Sequence, residues 1–517
     1  MAENSKQIKL ADRRHPYYED NVDMWEMYYD AVKGGDNFVN DSYLFSHMLE
    51  DEDSYDDRLS RAYYLNFCET VVNIYNFYIF RENIERPPDQ RLIDFRKNAN
   101  GRGDHISKVI RDIGYWSLVY GVVHVLVDVP RVGNGKRISR RDAKKKGIHP
   151  YCKLIYPTRL VDWSVDDVGK FNWVLIKEDY FDDSDPFKER STYKHYRLIT
   201  KEMWRVEDED GNLVKYPDGS PAEGENKLGI VPVITVYHRE SDKDKIGESL
   251  LKDIVYVNRA IMNWCSCIDE QIERHTFSQL VVPDAGELAE AQETGDDPLY
   301  KIGTSTIWTF PANANHPPRF ISPDTTNIRT IWNLILDHAK EIFRMAGLLG
   351  STGDLYVSRS GRAAQIGFQG VNAALAEKAS TYQMCENEIS KLVLMYLDED
   401  VESYEEVKYP STFDVASLSE EIDSLFRVME KNFSATLNKM IQKNIARRAV
   451  PLAPESIRKQ IEDEIDSSSG VVEQTKRERK GSTEDGNPNT NLGETFRSYE
   501  DVYREEVQHR TSEKEQE

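Results

Sequence analysis

Chemistry in a chain of 517 residues should show as a phosphate loop, a metal-ligand cluster or an activated nucleophile. A phosphate loop needs GxxxxGK[ST], so that successive backbone N–H groups wrap the phosphates and the lysine reaches the terminal ones. The nearest run, Gly133-Asn134-Gly135-Lys136, has the wrong spacing and Arg137 where Ser or Thr belongs. It reads as a turn before a basic loop. No GxGxxG follows a strand, and no GxSxG elbow is present. Zinc ligation would need clustered His, Cys or carboxylates. The eleven histidines are dispersed, no CxxC pair exists, and His338 with Glu341 reads as a surface pair on one helix face. The five cysteines, Cys68, Cys152, Cys265, Cys267 and Cys385, are odd in number and scattered, as reduced core thiols would be. Asp208-Glu209-Asp210-Gly211 has the look of a calcium loop, but its first ligand position would be Val206. Leu49 to Asp57 is an acidic run better suited to the first turn of a helix than to a calcium ion. Arg102-Gly103-Asp104 matches an adhesion tripeptide by coincidence. Glycosidase chemistry would need two opposed acids, and nothing singles out a pair among the 90 carboxylates. The expectation is a protein that is not an enzyme and needs no cofactor; the alternative is a cytoplasmic carboxylate-dependent hydrolase, which would need two spaced acids in one pocket.

The elements that these residues sit on carry more information. With 39% hydrophobic and 10% aromatic residues the chain can build cores, and its length suits two to four domains. Lys+Arg number 67 against 90 Asp+Glu, a net charge of −23, which disfavours gripping nucleic acid by counterion release over the whole surface. The N-terminus lacks an apolar leader segment, and the most apolar stretch, Tyr115 to Val129, is too short and too interrupted to span a bilayer. No membrane partner is expected.

Residues 15–50 have a helical register, and Leu59, Tyr63, Phe67, Val71, Ile74 and Tyr78 predict one helix over 54–80, stopped by Pro87-Pro88. Ile106, Val109, Ile110, Ile113 and Trp116 mark another, which Gly121 ends ahead of the buried strand Val122–Val127. Short apolar or alternating runs make 151–240 mostly β, with Asp210-Gly211 at a hairpin. Leu250, Ile254, Val257, Ile261, Cys265 (or Trp264), Ile268 and Ile272 predict a long helix, and short β runs then fill 278–323 around the acidic loop 284–298. Ile328, Ile331, Ile335, Ile342 and Phe343 give the next helix, followed by a Gly/Ser-rich loop from Gly347 to Gly361. A third long helix carries Phe368, Val371, Leu375, Tyr382, Cys385, Ile389, Leu392 and Tyr396. A strand-like run, 407–415, precedes two helices over 417–446 and 454–466, and beyond Ser467 the composition is that of a disordered tail.

This order of elements, a helix pair enclosing a small β insertion and then a Gly/Ser loop and a long helix, resembles the portal proteins of tailed double-stranded DNA bacteriophages. The N-terminal half resembles one portal group in detail: His15-Pro16, Trp25, Asp30-Ala31-Val32-Lys33-Gly34-Gly35, Tyr55, Arg58-Leu59, Arg61-Ala62, Asn66 and Ile79-Phe80. Ser117 to Gly121 followed by Val125 to Asp128, then Pro157, Val161-Asp162-Trp163 and Gly229 to Val233, are similar to the same family's helix–Gly–strand passage and wing strands. The likeness covers about 15–465; the acidic run at 49–57 and the tail from Ser467 have no counterpart in it. The alternative within the same class is another head–tail connector or a minor capsid component, usually much shorter and without the helix–clip–helix order.

The resemblance implies an α+β multidomain chain. An N-terminal arm (1–14) leads to a mixed α/β wing (15–247), helical at first and β-rich from about 122. Stem helices (248–277 and 324–346) flank a β-containing clip (278–323). A tunnel loop (347–361), a long helix returning to the wing (362–415), a helical crown (416–466) and a disordered tail (467–517) follow. Its implied function is a ring of about twelve subunits at one capsid vertex of the virion, made in the host bacterial cytoplasm. The ring would nucleate the head with major capsid and scaffolding proteins. It would dock the terminase large subunit and later a head–tail adaptor, and pass double-stranded DNA without sequence specificity. In the tunnel loop, Ser351, Thr352, Ser358 and Arg359 would face DNA phosphates, with Gly347, Gly350, Gly353 and Gly361 as hinges. In the clip, Asp284, Glu287, Glu290, Asp296 and Asp297 would form the docking surface. A negative channel wall would repel phosphates at close range, so that DNA slides.

Overall fold

The computed structural model describes residues 8–48, 50–130, 148–182, 187, 191–216, 219–275, 279–284, 307–311, 319–321, 326–348, 361–411, 413, 427–429, 434–449 and 455–468. The chain divides into two compact units, Met1–Val415 and Ala416–Glu517. The first mixes helices and sheets in the α+β manner.

Helices α1 (Pro16–Glu19), α2 (Val22–Lys33), α3 (Glu52–Arg61), α4 (Phe67–Arg81), α5 (Ile93–Lys97) and α6 (Ile106–Tyr120) come first. Helix α6 opens on His105, whose ring accepts from Ser107 N, and closes on Gly121 at φ +85°. A left-handed residue there both ends the helix and turns the chain into β1 (Val122–Asp128). A side chain at Gly121 is also barred by backbone, because a Cβ would lie 2.5 Å from Glu248 C and Ser249 N. Strand β1 is the middle of the antiparallel sheet β2–β1–β8, with β2 at Tyr151–Ile155 and β8 at Val233–Tyr237. Its residues are buried from Val122 to Val127, which is why it reads as an apolar run without alternation, interrupted only by His124. Helices α6 and α9 (Gly361–Tyr396) pack on this sheet.

An antiparallel five-stranded sheet follows the chain as a meander: β3 (Leu160–Val165), β4 (Phe171–Asp182), β5 (Ser191–Thr200), β6 (Met203–Glu207) and β7 (Glu223–Glu225). Arg197 of β5 donates to Asp128 of β1 at 2.6 Å, and Phe171 of β4 meets the His124 ring edge-on at 6.1 Å. Burial among these groups pushes the His124 imidazole down to about 3, so it stays neutral. Asp208 closes the turn after β6 by accepting from Asp210 N and Asn212 N, with Gly211 at φ +87°.

Helix α7 (Ile254–His275) leads to a small mixed sheet, β10–β9–β11, and helix α8 (Thr326–Met345) returns from it. Strand β9 (Gln279–Asp284) pairs in parallel with β10 (Ile307–Pro311) and antiparallel with β11 (Arg319–Ile321). Helices α7 and α8 pack against each other. In the second unit α10 (Ala435–Ala449) packs on α11 (Glu455–Ser467), tied by Lys443 to Asp466 at 2.7 Å.

Three local expectations are corrected. The single helix expected over 54–80 is two helices, α3 and α4, broken at 62–66. Asn66 caps α4 by accepting from Glu69 N, and Asn258 of α7 holds the break open. The strand-like run 407–415 forms one isolated bridge, Lys408 to Glu85, and no strand among its described residues. Its donors go to α9 side chains instead: Val407 N to Asn387, Tyr409 N to Gln383 and Phe413 N to Asn372, at 2.8–2.9 Å. Ile272, expected on the buried stripe of α7, is exposed.

Candidate functional site

The helix pair that carries the small sheet is joined to the body by buried polar groups. At its start Ser249 donates to Val119 O at 2.5 Å and accepts from Leu251 N at 2.9 Å, so the chain leaves the α6–β1 corner in one direction. Asn258, fully buried, donates to Leu65 O at 2.8 Å and accepts from Tyr64 OH, Phe67 N and Cys68 N at 2.9–3.1 Å. Two of those donors are the orphan N–H groups of the α4 N-terminus, so one side chain serves as a cap from another helix.

Further along α7, Arg58 of α3 is 1% exposed. It donates to both oxygens of Glu50 at 2.7 Å, to Phe45 O at 2.7 Å and to Ser266 Oγ at 3.0 Å. The guanidinium holds the Glu50 carboxyl down to about 2, against the cost of its burial. The acidic run is therefore split: Asp51 caps α3 through Ser54 N, while Glu50 is a buried counter-ion. Beside this pair stand His47, Cys267 and Glu270.

At the other end of the pair, Tyr75 donates to Ala346 O at 2.7 Å. Helix α8 stops there because Leu348 N bonds Phe343 O at 2.8 Å and Gly347 N bonds Arg344 O at 2.9 Å, with Gly347 at φ +71°. This double bond pattern is a helix terminator that uses a left-handed glycine, and Leu348 is buried beneath it. Between the helices, Trp264 meets His338 edge-on at 4.6 Å, and Phe343 meets Phe67 of α4 at 6.3 Å. His338 is thus a packed ring, and its neighbour Glu341 pairs with Arg344.

On α8 a buried stripe, Ile335 and Ile342, continued by Ala346 just past its end, faces α7 and the body. Trp332, Leu334 and Leu336 remain 42–44% exposed. At 100° per residue Trp332 and Leu336 lie on one flank of that stripe and Leu334 on the other. The apolar arc is wider than the described elements cover.

Of the residues singled out in the sequence, Gly347 is the α8 terminator just described, and Gly361 is the first residue of α9. Asp284 ends β9, its backbone paired with Pro311. Gly350, Ser351, Thr352, Gly353, Ser358, Arg359, Glu287, Glu290, Asp296 and Asp297 lie outside the described residues, as does Gly133–Arg137. Sequence reasoning missed Asn258, Glu50, Ser249 and Tyr75. Asn258 had a signal: it sits four residues after Ile254 and four before Met262, a polar residue in an apolar register.

No family model and no curated protein matches this chain. Among solved structures it is similar to a chain in the neck of a native GTA particle computed with C12 symmetry, at 12% identity and TM-score 0.33, covering 70% of this chain and 84% of that one. A chain in the neck of an empty GTA particle computed with C6 symmetry gives 11% identity and TM-score 0.35, covering 80% and 98%. A chain from the virion of a native gene transfer agent particle gives 11% and 0.35, covering 71% and 86%. Superpositions this loose define no function. Among the described residues no helix is long and apolar enough to cross a membrane.

Proposed function

We propose that this chain is the subunit of a portal-type ring at one capsid vertex of a phage-like virion. The observation that carries the reading is the α7–sheet–α8 excursion, with apolar residues bare on both flanks of α8. A ring subunit must offer two different faces, one to each neighbour, because a head-to-tail interface closes only by repeated rotation. Trp332 and Leu336 on one flank and Leu334 on the other supply two such faces on one helix. The buried Asn258 and Arg58–Glu50 anchors then fix the angle at which the helix pair leaves the body.

In this reading α7 and α8 are the stem and the small sheet is the clip. Its acids, from Asp284 to Asp297, dock the terminase large subunit and then the head–tail adaptor. The 347–361 segment borders the channel, where Ser351, Thr352, Ser358 and Arg359 meet the passing duplex. The subunit has no catalytic step of its own; the motor that it docks supplies the work. The net charge of −23 per copy suits a conduit that lets DNA slide.

The test is light scattering on a sizing column with negative-stain imaging of the purified chain, alone and co-expressed with its scaffolding protein. A ring near twelve times 59.8 kDa with a central hole is expected. A monomer or dimer under both conditions overturns the proposal.

A further inference from the structure

We propose that His47, Cys267 and Glu270 form a binding site for a thiophilic divalent cation, of which zinc is the type, at the joint between the body and α7. His47 Nε2 lies 3.7 Å from Cys267 Sγ and 3.9 Å from Glu270 Oε2. A donor atom from each of His47, Glu50 and Glu270 lies within 4.8 Å of the others. Bonds of about 2.0–2.3 Å in a tetrahedron place neighbouring donors about 3.3–3.7 Å apart, so the spacings from His47 to Cys267 and from His47 to Glu270 are within a few tenths of an ångström of those around one ion. Cys267 and Glu270 stand at i and i+3 on α7, the spacing that puts two side chains on one helix face. An imidazole, a thiol and a carboxylate together suit zinc or cobalt better than magnesium or calcium, which prefer oxygen alone.

The surroundings hold the donors in place. His47 N donates to Glu50 Oε2 at 2.9 Å, and Glu50 N donates to His47 O at 3.1 Å. Arg58 then ties this loop to α7 through Glu50, Phe45 O and Ser266. The Glu50 carboxylate, with both oxygens on Arg58, serves as counter-charge. With Cys267 as thiolate, its charge and those of the two carboxylates balance Arg58 and a divalent cation. Binding therefore releases the Cys267 proton to solvent as the metal–sulfur bond forms, and a water completes the tetrahedron. The ion would clip together residues 220 positions apart, at the point where the helix pair takes its direction. This inference does not depend on the portal reading.

Cobalt is the probe, because a cobalt–thiolate bond gives near-ultraviolet charge-transfer absorption and a tetrahedral visible band. Full-length protein stripped with a chelator is titrated with Co²⁺ and then with Zn²⁺ in competition. The expected result is one Co²⁺ per chain with both bands, displaced by Zn²⁺. Cys267→Ser should abolish the charge-transfer band, and His47→Ala and Glu270→Gln should each weaken binding at least about tenfold. The other four cysteines are buried, so a band that survives in Cys267→Ser would have to come from unfolded chain, and circular dichroism of each variant checks for that. Absence of the band in folded wild-type protein, or equal titrations for wild type and His47→Ala, overturns the proposal.

Discussion

Helix α9 is held to the body by polar side chains, and helix α8 mainly by apolar contact. On α9, Tyr382 meets Ser117 Oγ at 2.9 Å, Lys378 donates to His238 O, and Asn387 bonds both Val407 N and Val407 O. Glu386 accepts from Arg86 Nε at 2.6 Å and from Tyr409 OH at 2.6 Å, with its side chain 1% exposed. On α8, the ion pairs Lys340–Asp337 and Arg344–Glu341 and the bond from His338 to Leu334 O stay within the helix. Pairs of this kind are worth a few tenths of a kcal/mol. Buried polar bonds specify one position and one register, because any other leaves them unmade. Apolar contact is non-directional and tolerates a change of partner. The difference teaches that α9 is fixed in one register by directional bonds, whereas the exposed apolar residues of α8 are under no such constraint.

The sharpest way to break this comparison is at Glu386. Glu386→Leu leaves Arg86 buried without a counter-ion, and a loss of about 3–5 kcal/mol is expected in urea unfolding of the subunit. An unchanged midpoint would mean that α9 is held by packing alone, like α8.

The Arg58–Glu50 pair comes next, since it anchors α7 in the polar manner of α9. The Glu50 carboxyl lies near 2 in the folded chain against 4.5 ordinarily, a lowered value. Its contribution is therefore fully present above about pH 4.5 and is lost as pH falls toward 2. The stabilisation at neutral pH is about 3 kcal/mol. Glu50→Gln should lower stability at pH 7 and flatten the fall between pH 4.5 and 2, read from urea midpoints across that range. A fall equally steep in the variant would place the acid sensitivity elsewhere.

The smallest effect on folding is expected where α8 is bare. Trp332→Gln with Leu336→Gln should change subunit unfolding by less than about 1 kcal/mol. In the proposed ring the same double variant should weaken self-association at least about tenfold, as expected where an aromatic side chain anchors an interface. Unaltered association measured by sedimentation would detach α8 from assembly.

Much of the fold was legible because local periodicity reports which face is apolar. The stripe Val371, Leu375, Tyr382, Cys385, Ile389 and Leu392 is buried as read, and the run Val122–Val127 is the central strand. The break between α3 and α4 was not legible, because the side chain that holds it open comes from Asn258, nearly two hundred residues later. Nor was the meeting of His47 with Cys267, because no spacing rule links a loop to a helix so far along the chain.

By itself the sequence determined most of the elements and their order, since propensity and periodicity act over a few residues. Only the tertiary structure decided which apolar residues are covered and which acids are buried. Trp332 and Ile335 look alike on a helical wheel, and Glu50 and Glu52 look alike in an acidic run. Ile335 lies in the buried stripe of α8 while Trp332 is bare, and Glu50 meets Arg58 while Glu52 lies in solvent. The physical reason is that burial and charge pairing depend on which distant elements arrive at a side chain, and a local pattern does not encode that.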